Sequence, residues 1–463
     1  MSGGLLVRGG TVVSPRGRRQ LDVRCRAGKV AELGEALEPK GEEIIDATGA
    51  LVLPGVVDPH VHFALEAPPH RTADDFATGS ASALAGGVTT IIDFAHQPAG
   101  TSFEAAIDAR LAEAAPSRVD YALHLNPTDL SGGQLAELER LTERGVTSAK
   151  VYTTYRAAGF FCDDDSIVRF MRAAADVGWV VMVHCENDAI IEGTRAAFLA
   201  AGKRGFEFHA ASRPAIAEVE AVGRVLAFAE ETSCPVYPVH LSAGRSARLI
   251  ADARRRGVAA LGETCPHFLV ADESVYADPD RAARFIHTPP LRTESDRAIL
   301  WEELASGGGL QAVGSDHCGY TLAQRTDYGD LTKVAPGIPG TETLLALLYT
   351  VGVAGGRMTA ERMVAVCSEN PARSFGLYPQ KGVISVGSDA DLVVYQPEGE
   401  RNLRDDELHS AAGYSPYAGM TIRGRVAATI VRGTLGFDGE RILAPEGSGR
   451  FVASRPVAPT DLP

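Results

Sequence analysis

Eight short runs rich in Val, Ile, Leu and Ala, near 56–62, 88–94, 119–125, 146–152, 178–184, 235–241, 257–263 and 310–316, punctuate this chain. Buried parallel strands read as continuous apolar stretches of this kind, because helices cover their outer side. Alanine-rich helical patterns fill the intervals at 75–84, 103–114, 165–176, 215–230 and 245–256. Strands alternating with helices in this number predict an α/β fold, a closed (β/α)8 TIM barrel. In such a barrel chemistry collects at the carboxyl ends of the strands, so the residues that end each run matter most.

Those run ends share a chemistry. The first closes in Asp58-Pro59-His60-Val61-His62, and later ones close in His184, His240 and Asp316. Side chains two apart on a strand share a face, so His60 and His62 can reach one metal together. Alone, the pair reads equally well as two histidines in a polar turn. Recurrence at run after run points to a metal centre. The fourth run ends Ser148-Ala149-Lys150-Val151-Tyr152, and Lys150 is one of six lysines in the chain. Among histidines and metal, burial and neighbouring cations lower a lysine pKa, and the free amine can take up carbon dioxide as a carbamate. A lysine reaching solvent from the strand end fits the same spacing.

Beyond these ends the chain resembles the cyclic amidohydrolases, most closely the dihydropyrimidinase and hydantoinase branch. The resemblance spans nearly the whole length. It includes Thr72-Ala73-Asp74-Asp75-Phe76, Lys150-Val151-Tyr152-Thr153-Thr154-Tyr155 and Val183-His184-Cys185-Glu186-Asn187. It continues in His209-Ala210-Ala211-Ser212-Arg213-Pro214, Thr288-Pro289-Pro290-Leu291-Arg292 and Gly314-Ser315-Asp316-His317-Cys318. The resemblance implies a binuclear site: His60, His62 and Asp316 on one Zn2+, His184 and His240 on the other, with carbamylated Lys150 and a hydroxide bridging. Mn2+ or Co2+ would serve the same donors. It further implies hydrolysis of a ring amide by the hydroxide, with Asp316 as general base and acid and Tyr155 as donor to the developing oxyanion.

Substrate choice is carried by fewer residues. Dihydroorotases and allantoinases usually place an arginine two residues past the histidine pair; here that position is Ala64, between Phe63 and Leu65. An apolar trio, joined by Tyr152 and Phe160, suits a 5-substituted hydantoin or a dihydropyrimidine, and core packing is the alternative for each. Thr288 and Pro336 fall where the family grips the ring amide with backbone groups, and Pro336 replaces a common asparagine, removing an N–H. Gly262-Glu263-Thr264-Cys265-Pro266-His267 leans toward allantoinase, the runner-up, with dihydroorotase third. A metal-free, dihydropyrimidinase-related interaction protein is the non-enzymatic alternative, and it requires loss of ligand positions that this chain keeps. His96 could line the mouth of the site or stand in a solvated loop. His317 points away from the metals by alternation. His124 and His209 read as structural, and His267 and Cys318 as packing or supporting residues.

The chain ends differ in style. Residues 1–54 and 381–443 are short strands broken by Gly and Pro, too small for separate cores, and are expected to form one β-sandwich flanking a barrel at 55–380. Residues 444–463, rich in Pro, Ser and Gly, are expected to form an extended tail clasping a neighbouring subunit of a homo-oligomer, a dimer or tetramer. No apolar run approaches a membrane span, and a net charge of −14 disfavours nucleic acid and anionic membrane as partners; the small cyclic amide partner is what the resemblance implies. Seven scattered cysteines without short paired spacings fit a reducing cytoplasm.

Overall fold

The computed structural model describes residues 4–326 and 330–463. Val56–Val61, Val88–His96, Asp120–Asn126, Ser148–Tyr152, Val180–His184 and Val236–Pro238 lie side by side, all parallel, in chain order. Glu263–Thr264 and Ala312–Val313 pair parallel with each other. Single bridges from Val236 to Ala260 and from Val61 to His317 join this pair to both edges and close the cylinder.

The last three barrel strands are shorter than their apolar runs. Pro238 has no N–H to extend the sixth, and His240 and Asp316 turn into left-handed backbone, at φ +39° and +48°, just beyond the sixth and eighth. The seventh run opens with a turn at Gly257 (φ +91°), which leaves Glu263 and Thr264 to pair with the eighth strand.

Alternation along the strands sorts side chains between two cores. Val57, Ile92, Ala122, Val180 and Met182 pack inside the cylinder. Their neighbours Val56, Ile91, Leu123, Val181 and Val183 join the layer under the helices. That parity aims the chemistry. Ala149 and Val151 face the helices, so Lys150 faces inward, and His184 extends the inward row of Val180 and Met182.

Helices fill the predicted intervals: Phe76–Ala85, Phe103–Glu113, Asp164–Asp176, Ala215–Thr232 and Gly244–Arg255. Their starts are chemically marked. Asp75 accepts from the backbone of Ala77 and Thr78, while the Thr78 hydroxyl accepts the Asp75 N–H in return. Ser102 and Asp163 cap the next two.

Both chain ends build two further sheets. One has four strands, in the order Lys29–Gly34, Asp22–Arg26, Leu5–Arg8 and Glu43–Asp46. In the other, which has six, Leu392–Asn402 lies antiparallel to Leu51–Pro54, joining the two ends of the chain directly. Leu5, Val7, Val23 and Val52 share one core with Leu392, Val394 and Ile430. No helix among the described residues is long and apolar enough to cross a membrane.

Residues 444–463 form an extended tail that runs across the amino ends of the barrel. Tyr121 bonds Arg450 and Val452 at 2.9 and 2.7 Å, Ser454 donates to Gly145, and Val457 donates to Gly178. These barrel segments present backbone groups that require partners. Gly145 and Gly178 lie so close to Ala453 and Pro456 that a side chain on either would collide.

Candidate metal centre and active site

The inward-facing strand ends converge on one cavity of about 970 Å³ at the carboxyl rim, lined by His62, Lys150, His184, His240 and Asp316 among others. His60 sits just beneath, fully buried. Its Nε2 is 2.7 Å from Lys150 Nζ and 3.2 Å from Asp316 Oδ1, while His62 Nε2 lies 3.5 Å from the same oxygen. The His184 and His240 rings meet edge-on, centroids 4.5 Å apart. Phe94 walls the cluster, its ring 4.6 Å from both the His62 centroid and Lys150 Nζ.

Electrostatics prepare these groups as ligands. Burial lowers the pKa of His60, His62, His184 and His240, with Lys150 adding to each effect, so the imidazoles stay neutral. Burial also lowers Lys150, by more than Asp316 and Glu263 restore. Asp316 is held well below the usual carboxylate range: burial works against ionisation, but His60, His62 and Lys150 outweigh it. Neutral imidazole and ionised carboxylate are the forms that bind metal.

The donors fit the expected ions. His60, His62 and Asp316 offer ligand atoms within 4.8 Å of one another. His240 Nδ1 is buried without a hydrogen-bond partner, which a ligand would supply. Imidazole, carboxylate and an inward-facing amine suit zinc and its neighbours. A second acidic group, Asp120, Asp389 and Asp391, is already filled: Lys381 Nζ lies 2.5, 3.0 and 2.6 Å from its three carboxylates.

The supporting contacts were less legible. His60 Nδ1 lies 2.7 Å from Glu263 Oε1, which also accepts the His240 N–H at 3.1 Å. Burial pushes the Glu263 carboxyl up to about 8. Glu186 Oε2 lies 2.7 Å from His184 Nε2, and Arg213 grips the same carboxylate. Burial alone would neutralise Glu186, but Arg213 and His184 reverse this and hold it well below the usual range. Their signal in the sequence is faint, an acidic residue just past or within an apolar run. His317 points away from the cluster as alternation predicts. Its ring bonds Asp74 at 3.0 Å and accepts the backbone N–H of Gly340 and Thr341.

Tyr155 hangs over the cavity on a left-handed backbone, φ +65°, held by Ala158 and Phe160 N–H groups donating to its carbonyl. Its phenol is hydrogen-bonded to the Thr288 hydroxyl. Burial raises its pKa to about 12, so it remains a proton donor. Leu65, Tyr152, Phe160, Thr288 and Pro336 line the same cavity. His96 does too, its ring against Phe160 at 4.6 Å and its Nδ1 on Asn126. Gly337 donates its N–H to Ile286, and Pro336 has none, so neither offers the cavity a backbone donor. His124 is held by Ser148 and Pro59, and His209 by His287.

Phe63 does not join that wall. It is fully buried in the helix layer, against Phe76 and His317 and tight under Gly79. The physical reason is parity: one step past the inward-facing His62, the side chain turns outward from the cylinder. Phe63→Ala should therefore cost about 3–5 kcal/mol of stability, read by denaturant unfolding, while leaving KM unchanged.

A closed α/β barrel with imidazoles, a lysine and an aspartate gathered at its carboxyl rim defines a metal-dependent hydrolase class. The amidohydrolase family model matches residues 51–436, and the chain belongs to that family. Within it, the likeness narrows to the hydantoinases and dihydropyrimidinases. D-phenylhydantoinase of Escherichia coli (strain K12 / DH10B) is 37% identical over 464 residues, covering 99% of this chain and 100% of the relative. The crystal structure of dihydropyrimidinase from Brevibacillus agri NCHU1002 superposes with a TM-score of 0.95 at 35% identity, covering 98% of this chain and 99% of the other. L-hydantoinase from Arthrobacter aurescens follows with a TM-score of 0.91 at 31% identity, covering 97% and 100%.

Proposed function

We propose that this chain is a binuclear-metal cyclic amidohydrolase that opens dihydropyrimidines or 5-substituted hydantoins to their N-carbamoyl products. The carrying observation is the convergence of His62, His184, His240, Asp316 and the buried amine of Lys150 on one cavity, with His60 enclosed directly beneath against Lys150. In this reading His60, His62 and Asp316 hold one Zn2+ and His184 and His240 the other. Lys150 would take up carbon dioxide at Nζ, releasing a proton, and as the carbamate would help hold both ions. Bound there, the ions supply Lewis acidity and a water whose pKa is near 7 rather than about 15.7.

The chain's own residues do the rest. Asp316 takes the proton of the attacking water and returns it to the leaving ring nitrogen. Tyr155 donates its phenolic proton as a hydrogen bond to the carbonyl oxygen. Leu65, Tyr152 and Phe160 present an apolar wall to the substituent on the ring, and among the described residues no arginine lines this cavity to favour a carboxylate. Seven unpaired, buried cysteines support a reducing, cytoplasmic setting.

The test is a panel assay of the purified chain with zinc and bicarbonate. Dihydrouracil, 5-phenylhydantoin in both hands, allantoin and dihydroorotate are offered at equal concentration. Ring opening of dihydrouracil or the hydantoin is expected. Turnover of allantoin alone would overturn the branch assignment.

A further inference from the structure

Glu186 and Arg213 touch both halves of the site without belonging to either. The Glu186 side chain is wholly enclosed and Arg213 is 13% exposed. Arg213 holds the carboxylate by two nitrogens, Nε to Oε1 at 3.1 Å and Nη2 to Oε2 at 2.5 Å. On the other side the carboxylate meets His184 Nε2. An ionised carboxylate can only accept, so Nε2 carries the hydrogen and the Nδ1 lone pair is left free for a ligand role.

The same guanidinium also reaches Tyr155. Its central carbon lies 5.4 Å from the centroid of the Tyr155 ring, over its face. The Tyr155 and His184 rings meet edge-on at 5.1 Å. Arg213 is itself anchored: its carbonyl accepts from Arg292, whose Nε donates to Ser242 at 3.0 Å, two residues past His240. Besides the ring contacts with His184 and Tyr152, Tyr155 has a left-handed backbone and one hydroxyl contact to hold it, and the cation over its ring adds to what orients it.

We propose that Arg213 is a positioning residue that couples His184 to Tyr155, fixing the tautomer of His184 through Glu186 and the placement of the Tyr155 phenol through the charge it holds over that ring. The inference rests on the reading of His184 as a metal ligand and Tyr155 as the oxyanion donor. Lysine could not replace it, since an ammonium cannot grip both carboxylate oxygens and at the same time hold its charge over the ring.

The experiment compares Arg213→Met, Arg213→Lys, Glu186→Gln and the Met/Gln double variant, each checked for a cooperative melt. Zinc retention is measured against a graded chelator, together with kcat and KM. Arg213→Met should weaken one zinc by about 10–100-fold and lower kcat by about 10²-fold with KM little changed. Arg213→Lys should restore neither. The double variant should be little worse than the worse single, since both act through one contact.

Zinc retention and kcat at the unsubstituted level in Arg213→Met would overturn the coupling. If that variant does not fold, Glu186→Gln decides: retention of both ions at full affinity overturns the His184 arm. Should the unsubstituted chain open none of the panel rings, the zinc measurement still tests Arg213, so the two failures remain distinguishable.

Discussion

Lys150→Ala is expected to yield a folded chain that loses zinc on dialysis and opens no ring above background. Lys150 Nζ stands 2.7 Å from His60 Nε2 in a fully buried position, where an ammonium would be costly and a carbamate would supply an anion to two cations. Without it, four imidazoles and one carboxylate must hold two dications, and no donor is left to be shared between them. Lys150→Arg should fail equally, because a guanidinium does not form the carbamate. Metal analysis after dialysis, alongside turnover, provides the check. Near-normal zinc content and rate in Lys150→Ala would remove the carbamate from the mechanism. The complementary experiment strips the metal from the unsubstituted chain. Recovery should then require both zinc and bicarbonate, with neither alone restoring the full rate and bicarbonate alone restoring none.

Tyr155→Phe lowers kcat by about 10²–10³-fold with little change in KM. A phenol whose pKa is raised to about 12 by burial stays protonated throughout the working range and acts purely as a hydrogen-bond donor. The charge it meets exists only as the carbonyl oxygen becomes an oxyanion, so its loss appears in the chemical step rather than in binding. Zinc content should be unaffected, which separates this variant from Lys150→Ala. A fall in kcat smaller than about tenfold would assign the donor role elsewhere.

Much of the site was legible because strand parity is local. Once Ala149 and Val151 are recognised as apolar neighbours in a buried strand, Lys150 must point the other way, and the same logic aligns His184 with Met182. The parity that aimed Lys150 inward also turned Phe63 outward, and there a sequence-level reading grouped it by proximity with Leu65 and went wrong. A step of one residue along a strand reverses the face, and the left-handed turn at Ala64 (φ +48°) hides where that alternation ends.

Residues that support the ligands were harder to find. Glu263 and His60 are 203 positions apart, and Arg213 reaches Glu186 from a segment that supplies nothing to the cluster of imidazoles. Their meeting depends on how the barrel closes. The tail illustrates the same limit: Pro, Ser and Gly predict an extended course, while its track is chosen by unpaired backbone at Tyr121, Gly145 and Gly178.

By itself, the sequence determined the strands, their inward faces and the six polar residues gathered at the carboxyl rim, since each depends on apolar periodicity within a few neighbouring residues. Only the tertiary structure decided which carboxylate steadies which imidazole, which aromatic lines the cavity, and where the tail lies. Those contacts join residues remote along the chain, and no local pattern records a distance that folding alone creates.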